Sequence, residues 1–172
     1  VFQVIPPNRL LPVYVLNQGK YKVSKHDGRN PDSDYSGKII PNEWAVSKDY
    51  IFLTFSRDER DCPLYREKKK VKIYHAIFSK ATRQFYIVKG DPFDYSNHIL
   101  ENNIDGGLAV WPLTYMISKN NEILVSLKGI DLKDHIKSNQ FLNSTATADK
   151  KEKLKNLAKD VIDSEDILMI VK

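Results

Sequence analysis

The residue types most able to do chemistry gather in one short stretch, Ile104-Asp105-Gly106-Gly107-Leu108-Ala109-Val110-Trp111-Pro112. It holds the chain's one Gly-Gly pair, and glycine pairs stand where the backbone needs a positive φ or a close approach to another segment. The proline that follows Trp111 keeps that residue extended, so the indole is aimed by the backbone. Asp105 and Trp111 are therefore the candidate ligand-binding residues. Each carries two readings. Asp105 either presents a carboxylate to a ligand from a loop mouth or closes an Asx-type turn on its own backbone, and the turn is the stronger reading. Trp111 either stacks on a sugar ring or another flat ligand or fills the core, and core packing is the stronger reading. Trp44, near Pro41, shares that ambiguity.

Other reactive types are scattered. His26, His75, His98 and His135 form no HxH or HxxxH pair, so the sequence implies no metal site from them. Asp58, Glu59, Asp61 and Glu67 make an acidic loop without the alternating Asp/Asn–Gly pattern of a calcium loop. Cys62 is alone, which excludes a disulfide framework and a cysteine-based metal site. No nucleophile elbow, phosphate-cradling glycine loop or zinc helix is present. The reading is of no catalytic residues, no metal and no cofactor. A net charge of +5 permits an anionic partner, but the lysines are spread through the chain. The dense run Arg66–Lys72 reads as a solvated arm leading into a strand, and no nucleic-acid partner is expected.

The elements that must position these residues are mostly strands. With 172 residues, 41% hydrophobic and 28% charged, the chain has the length and composition of one globular domain. No apolar run approaches the roughly 20 residues of a spanning helix. Val1–Ile5 and Leu11–Leu16 read as a hairpin turned by Pro6-Pro7-Asn8-Arg9, with Tyr21–Val23 as an extension. His26–Lys38 is a long polar loop. Tyr50–Ser56 has apolar residues on both faces and belongs inside a sheet stack. With Trp44–Ser47, Val71–Phe78 and Gln84–Val88 it makes up to four antiparallel strands over residues 44–89, with Arg57–Lys70 as a charged loop and Ser79–Arg83 as a hairpin loop. That is the size of one propeller blade.

The pattern then restarts, and blade-like units are expected at about 1–23, 44–89 and 108–171. Leu108–Ser118 reads as a strand pair or one long strand, and Ile123–Leu127 as another. Asp131 reads as the N-cap of a short helix over Leu132–Ser138, followed by a polar stretch to Ala148. Leu154, Leu157, Ala158 and Val161 recur at helical spacing and predict a helix over about 150–162, opened by Asp149 and Glu152 in capping-box spacing. Ile167–Val171 reads as a final buried strand.

Three segments, Val13–Tyr21, Asn103–Leu108 with Trp111-Pro112, and Ile167–Lys172 behind a lysine-rich helix, occur in the order found in a known family. Together they resemble the C-terminal part of the six-bladed β-propeller proteins of Bacteroides, related in architecture to NHL-repeat propellers. The resemblance implies a mainly β, single-domain fold of two to three antiparallel propeller-like blades with two C-terminal helices inserted before the last strand. It implies a periplasmic or cell-surface protein, held to a membrane only through a lipid anchor outside this chain. Since the length covers only part of a six-bladed ring, the expectation is a C-terminal portion of something longer or a shortened member, with self-association where blade faces lie bare. The function expected is a non-catalytic binding or scaffold module for a protein or glycan partner. The competing expectation is a propeller-type hydrolase or lyase using a metal or carboxylate cluster in the central channel.

Overall fold

A computed structural model describes residues 2–5, 9–12, 14–26, 33–95, 100–113, 117–118, 120 and 122–171. Its centre is a four-stranded antiparallel sheet built from β3 (Ile39–Val46), β4 (Tyr50–Arg57), β5 (Lys72–Ser79) and β6 (Phe85–Ile87), paired in that order. The two-faced apolar pattern of β4 places that strand inside the sheet. Leu53 and Phe55 pack on one face with Ala76, Leu16, Ile39, Trp44 and Tyr74. Phe52 packs on the other with Ala45, Trp111 and Leu113. Burying one such side chain contributes about 1.5–3 kcal/mol, so β4 is the main apolar anchor of the sheet. β3 begins at Ile39, ahead of the expected Trp44, because the chain stays paired across Pro41 by inserting a bulge. Pro41 faces Phe55 and Glu43 faces Thr54, which leaves Asn42 as the extra residue.

The charged loop after β4 contains a helix the sequence reading did not anticipate, α1 (Pro63–Glu67). Its proline sits in the first turn, where a missing N–H costs nothing and the fixed φ favours entry. The first hairpin pairs β1 (Phe2–Ile5) with β2 (Arg9–Pro12), so the second strand ends earlier than the expected Leu16. Its turn residues 6–8 lie outside the described residues. Tyr21–Val23, expected to extend that second strand, does not: Tyr21 ends a single 3₁₀ turn (Gly19–Tyr21), and residues 22 and 23 are irregular.

The largest correction concerns Leu108–Ser118. Among the described residues no ladder forms there, only isolated bridges of Val110 to Leu100 and of Ile117 to Ile123, and residues 114–116 lie outside the described residues. Every residue from 106 to 113 is buried, yet the backbone makes only a one-residue bridge, Val110 to Leu100, with both N–H···O bonds at 2.9–3.0 Å. Pro112 lacks an N–H and cannot extend a ladder. The stretch is a buried spine. Leu108 belongs to a core with Leu132 and Ala158, while Trp111 and Leu113 belong to the sheet's core.

The other side of the spine is a strand pair, β7 (Ile123–Lys128) and β8 (Asp166–Val171), with three helices inserted where two were expected. These are α2 (Gly129–His135), α3 (Asn139–Asn143) and α4 (Ala148–Asp160). Asp131 is not the N-cap. It stands at the third helical position and accepts from the Lys128 N–H at 3.0 Å. Asp149 lies in the first turn of α4, whose N-cap position is Thr147. Leu154 and Ala158 face the core, but Leu157 is exposed, so the apolar stripe is narrower than its spacing suggests. β8 is half-buried, with Leu168 and Ile170 turned outward, because a two-stranded sheet has only one covered face. The strands are antiparallel throughout, as expected, but the chain is a mixed fold with three open sheets and four α-helices among the described residues.

Candidate functional site

Two clefts, each of about 550 Å³, flank the spine. The first opens on the sheet. Three neighbouring strands supply its floor: Asn42 from the β3 bulge, Thr54 from β4 and His75 from β5, with Thr54 and His75 directly opposed in register. The bulge places Asn42 at the cleft. Its Oδ1 accepts from the fully buried Ser56 hydroxyl at 3.5 Å, while its Nδ2 is shut from solvent and has no hydrogen-bond partner. A buried donor left unpaired costs about 1–3 kcal/mol, and native folds keep such groups rarely.

The rim is made of ionised groups. Asp61 takes the Arg66 guanidinium in a two-point contact, Nε to Oδ1 at 2.5 Å and Nη2 to Oδ2. That contact raises the Arg66 pKa, so the cation is permanent. The same guanidinium lies 5.4 Å from the centre of the Tyr95 ring, and the Tyr95 hydroxyl donates to Val71 O at 2.8 Å. Arg66 is thus held from below and beside, and Glu43 adds a second carboxylate to the rim. Burial holds the His75 imidazole below its ordinary pKa, opposed by the weaker pull of Asp94, so the ring is neutral at neutral pH.

Trp111 sits beneath this floor, only 2% exposed. Its indole N–H donates to Thr54 Oγ1 at 2.9 Å, and its ring meets His75 edge-on at 4.7 Å and Phe52 at 5.7 Å. It offers no open face for stacking and acts as the support of the floor. Asp105 closes an Asx turn, its Oδ1 accepting from Gly107 N at 2.8 Å. Asn102 continues the same loop, accepting from Ile104 N at 3.1 Å. Gly106 has φ +80, and a Cβ there would press on Ser144 and Ala146 at 3.1–3.2 Å. Its carbonyl meets the ring Nε2 of buried His135 at 2.8 Å.

That loop forms one wall of the second cleft, with Asn102, Asn103, Gly106 and Gly107 facing Asn139, Gln140 and Asn143 of α3. Asp105 itself is not among the lining residues. Sequence reasoning found this loop but missed the α3 wall and the whole floor of the first cleft. Pro41-Asn42 inside a strand was the one available signal, since proline within a ladder marks an edge or a bulge.

Among the described residues, no group of three His, Cys, Asp or Glu is placed to hold a metal, and no helix is long and apolar enough to cross a membrane. His26 lies in an exposed turn and His98 outside the described residues. The acidic loop disperses: Asp58 binds Gly37 N at 2.9 Å, and Asp61 binds Arg66. Lys68, Lys69 and Lys70 are exposed at the end of α1.

Over residues 1–138 the chain matches the family model described as "Domain of unknown function (DUF4933)", and it belongs to that family. The matched stretch contains all the lining of the first cleft and stops at the border of α3, within the second. Comparison with curated proteins and with solved structures gave no match.

Proposed function

We propose that this chain is a non-catalytic binding module of an exported protein, and that the sheet cleft takes the end of a glycan. The observation that carries the reading is the buried, unpaired Nδ2 of Asn42, a residue that lines that cleft. A donor kept at such cost is matched by an acceptor that arrives with a ligand. The surroundings offer donors on Arg66, acceptors on Glu43 and Thr54, and the edge of Tyr95. Hydroxyl groups, which both donate and accept, suit that mixture.

The same proposal takes the four-stranded sheet as one propeller-like blade of a larger arrangement, periplasmic or at the cell surface, with any lipid anchor outside this chain. Its support is the bare outer strand: Phe85, Tyr86 and Ile87 are 48–57% exposed, beside shallow apolar grooves lined by Leu16, Phe55 and Tyr74. Light scattering on the chain alone tests this. Dimers or larger assemblies are expected, and a clean monomer stable at high concentration overturns the blade reading.

The glycan reading is tested by array binding of the whole chain, then by titration of the bound sugar against the wild type and Asn42→Leu. Leucine is close in size and removes the orphan donor but also the acceptor of the Ser56 hydroxyl, so the variant should fold with about equal stability while binding at least about tenfold more weakly. Equal affinity in the variant, or no sugar bound on the array, overturns it. A hydrolase or lyase reading has one point in its favour, since neutral His75 and the Glu43 carboxylate line the same cleft. Turnover of the bound glycan, abolished by His75→Gln, would establish it in place of simple binding.

A further inference from the structure

The second cleft differs from the first in being lined almost wholly by neutral groups. Glu101 is the single charged residue among its lining, and Asn102, Asn103, Asn139, Gln140 and Asn143 supply five primary amides. Its volume lies within the range of about 300–1,000 Å³ typical of ligand sites. Among the described residues, no hydrogen bond engages the side chains of Asn103, Asn139, Gln140 or Asn143, so their donors and acceptors face solvent. The rings nearest the cleft, Phe141 and His135, are buried and packed on each other at 5.6 Å, which leaves no aromatic platform for a sugar.

We infer that this cleft binds an extended, uncharged peptide segment by its backbone, through Asn139 and Asn143. A carboxamide side chain pairs with a peptide group at two points, its NH₂ to the carbonyl and its oxygen to the N–H. Asn139 and Asn143 begin and end α3 and stand four residues apart, so they lie on one face about 6 Å apart along the axis. In an extended chain, peptide groups that face the same way recur every two residues, about 6.4–6.8 Å. The two spacings agree well enough for both asparagines to hold successive same-side peptide groups. The wall opposite is the Asx-turn loop, closed on itself by Asp105 and packed at Gly106 against Ser144 and Ala146, so it holds its shape as the peptide binds. α3 is fixed for this purpose by Phe141, fully buried, and by the Ser138 hydroxyl, which accepts from Phe141 N at 3.2 Å. Glu101 at the mouth disfavours acidic segments.

The test is a nuclear magnetic resonance titration of the nitrogen-15-labelled full chain with three probes. The first is acetyl-Ala-Ser-Ala-Ser-Ala-Ser-amide, the second its fully N-methylated copy, and the third maltohexaose. The side-chain amide signals of Asn139 and Asn143 should move with the first probe alone. Asn139→Ala and Asn143→Ala, both at exposed helix positions, should each weaken binding about tenfold. Absence of movement at millimolar peptide overturns the inference, because the probe carries the backbone that is said to be recognised. Equal binding of the N-methylated copy overturns it too, and binding of maltohexaose in its place makes the cleft a carbohydrate site. Asn42→Leu should leave the titration unchanged, which separates this result from the fate of the sheet cleft.

Discussion

The two clefts are equal in volume and opposite in construction. The sheet cleft takes its floor from strands locked in register and its rim from a two-point Asp61–Arg66 contact. The helical cleft takes one wall from an Asx-turn loop and the other from a five-residue helix, with a single charged group. The first pairs Thr54, Asp61, Arg66 and Tyr95 within the fold and keeps one buried amide unpaired; the second leaves four amides open to solvent. A site whose groups are already paired selects a ligand by what is missing, here an acceptor for Asn42. A site of open amides selects by repeat distance. The spine Gly106–Leu113 belongs to both, since Gly106 and Gly107 line one cleft and Trp111 props the other.

Substitutions along the spine separate these roles. Trp111→Ala is expected to have the largest effect, about 3–5 kcal/mol of lost stability in urea unfolding, because it opens a cavity on the β4–β5 face against Phe52 and His75 and removes the bond to Thr54. Loss below about 1 kcal/mol would mean the sheet core closes without the indole, and the floor of the first cleft is not propped as described. Gly129→Ala comes next. A Cβ there would lie 2.1 Å from the Ile162 carbonyl oxygen, so α2 must shift against the chain leaving α4, at a cost of about 1–3 kcal/mol. That variant should weaken peptide binding at α3 and leave the sheet cleft intact. Gly106→Ala is smaller, about 1–2 kcal/mol for an L-residue held at φ +80. It should move the Ser144–Ala146 segment and again spare the sheet cleft, which two parallel titrations would show.

How far the sequence discloses these sites follows from the range of the interactions that build them. The spine was legible because its signals are local: Asp105 bonds two residues on, the glycines answer a backbone need, and Trp-Pro fixes direction. What did not follow was its lack of a ladder, since a run such as Leu-Ala-Val-Trp has strand character and only the tertiary setting withholds a partner strand. The β4–β5 core was legible from alternation. The sheet cleft was not, because Asn42, Thr54, Asp61, His75 and Tyr95 meet only through register, a bulge and a loop, none of which leaves a pattern of fixed spacing. α1 and α3 are five residues each, too short for periodicity to register, and Ile167–Val171 reads as buried although half of it faces solvent.

The smallest expected effect sharpens the contrast between a charged cleft and a neutral one. His75 is buried in β5 against Trp111, opposite Thr54, with Glu43, Asp61 and Arg66 on the cleft side and Asp94 beyond. Burial depresses its pKa and Asp94 only partly offsets this. Below about pH 6.5 the unfolded chain therefore binds a proton that the folded chain resists. The contribution of neutral His75 to stability is full above that pH and is lost as pH falls toward the depressed folded value. Unfolding free energy measured between pH 8 and pH 5 should thus fall more in the wild type than in His75→Gln, whose amide does not titrate. Glycan binding at the sheet cleft should weaken only as pH approaches the depressed folded value and the imidazolium forms beside Arg66, while peptide binding at α3 stays level. Parallel loss at both clefts would mean that the whole fold, and not His75, carries the pH response.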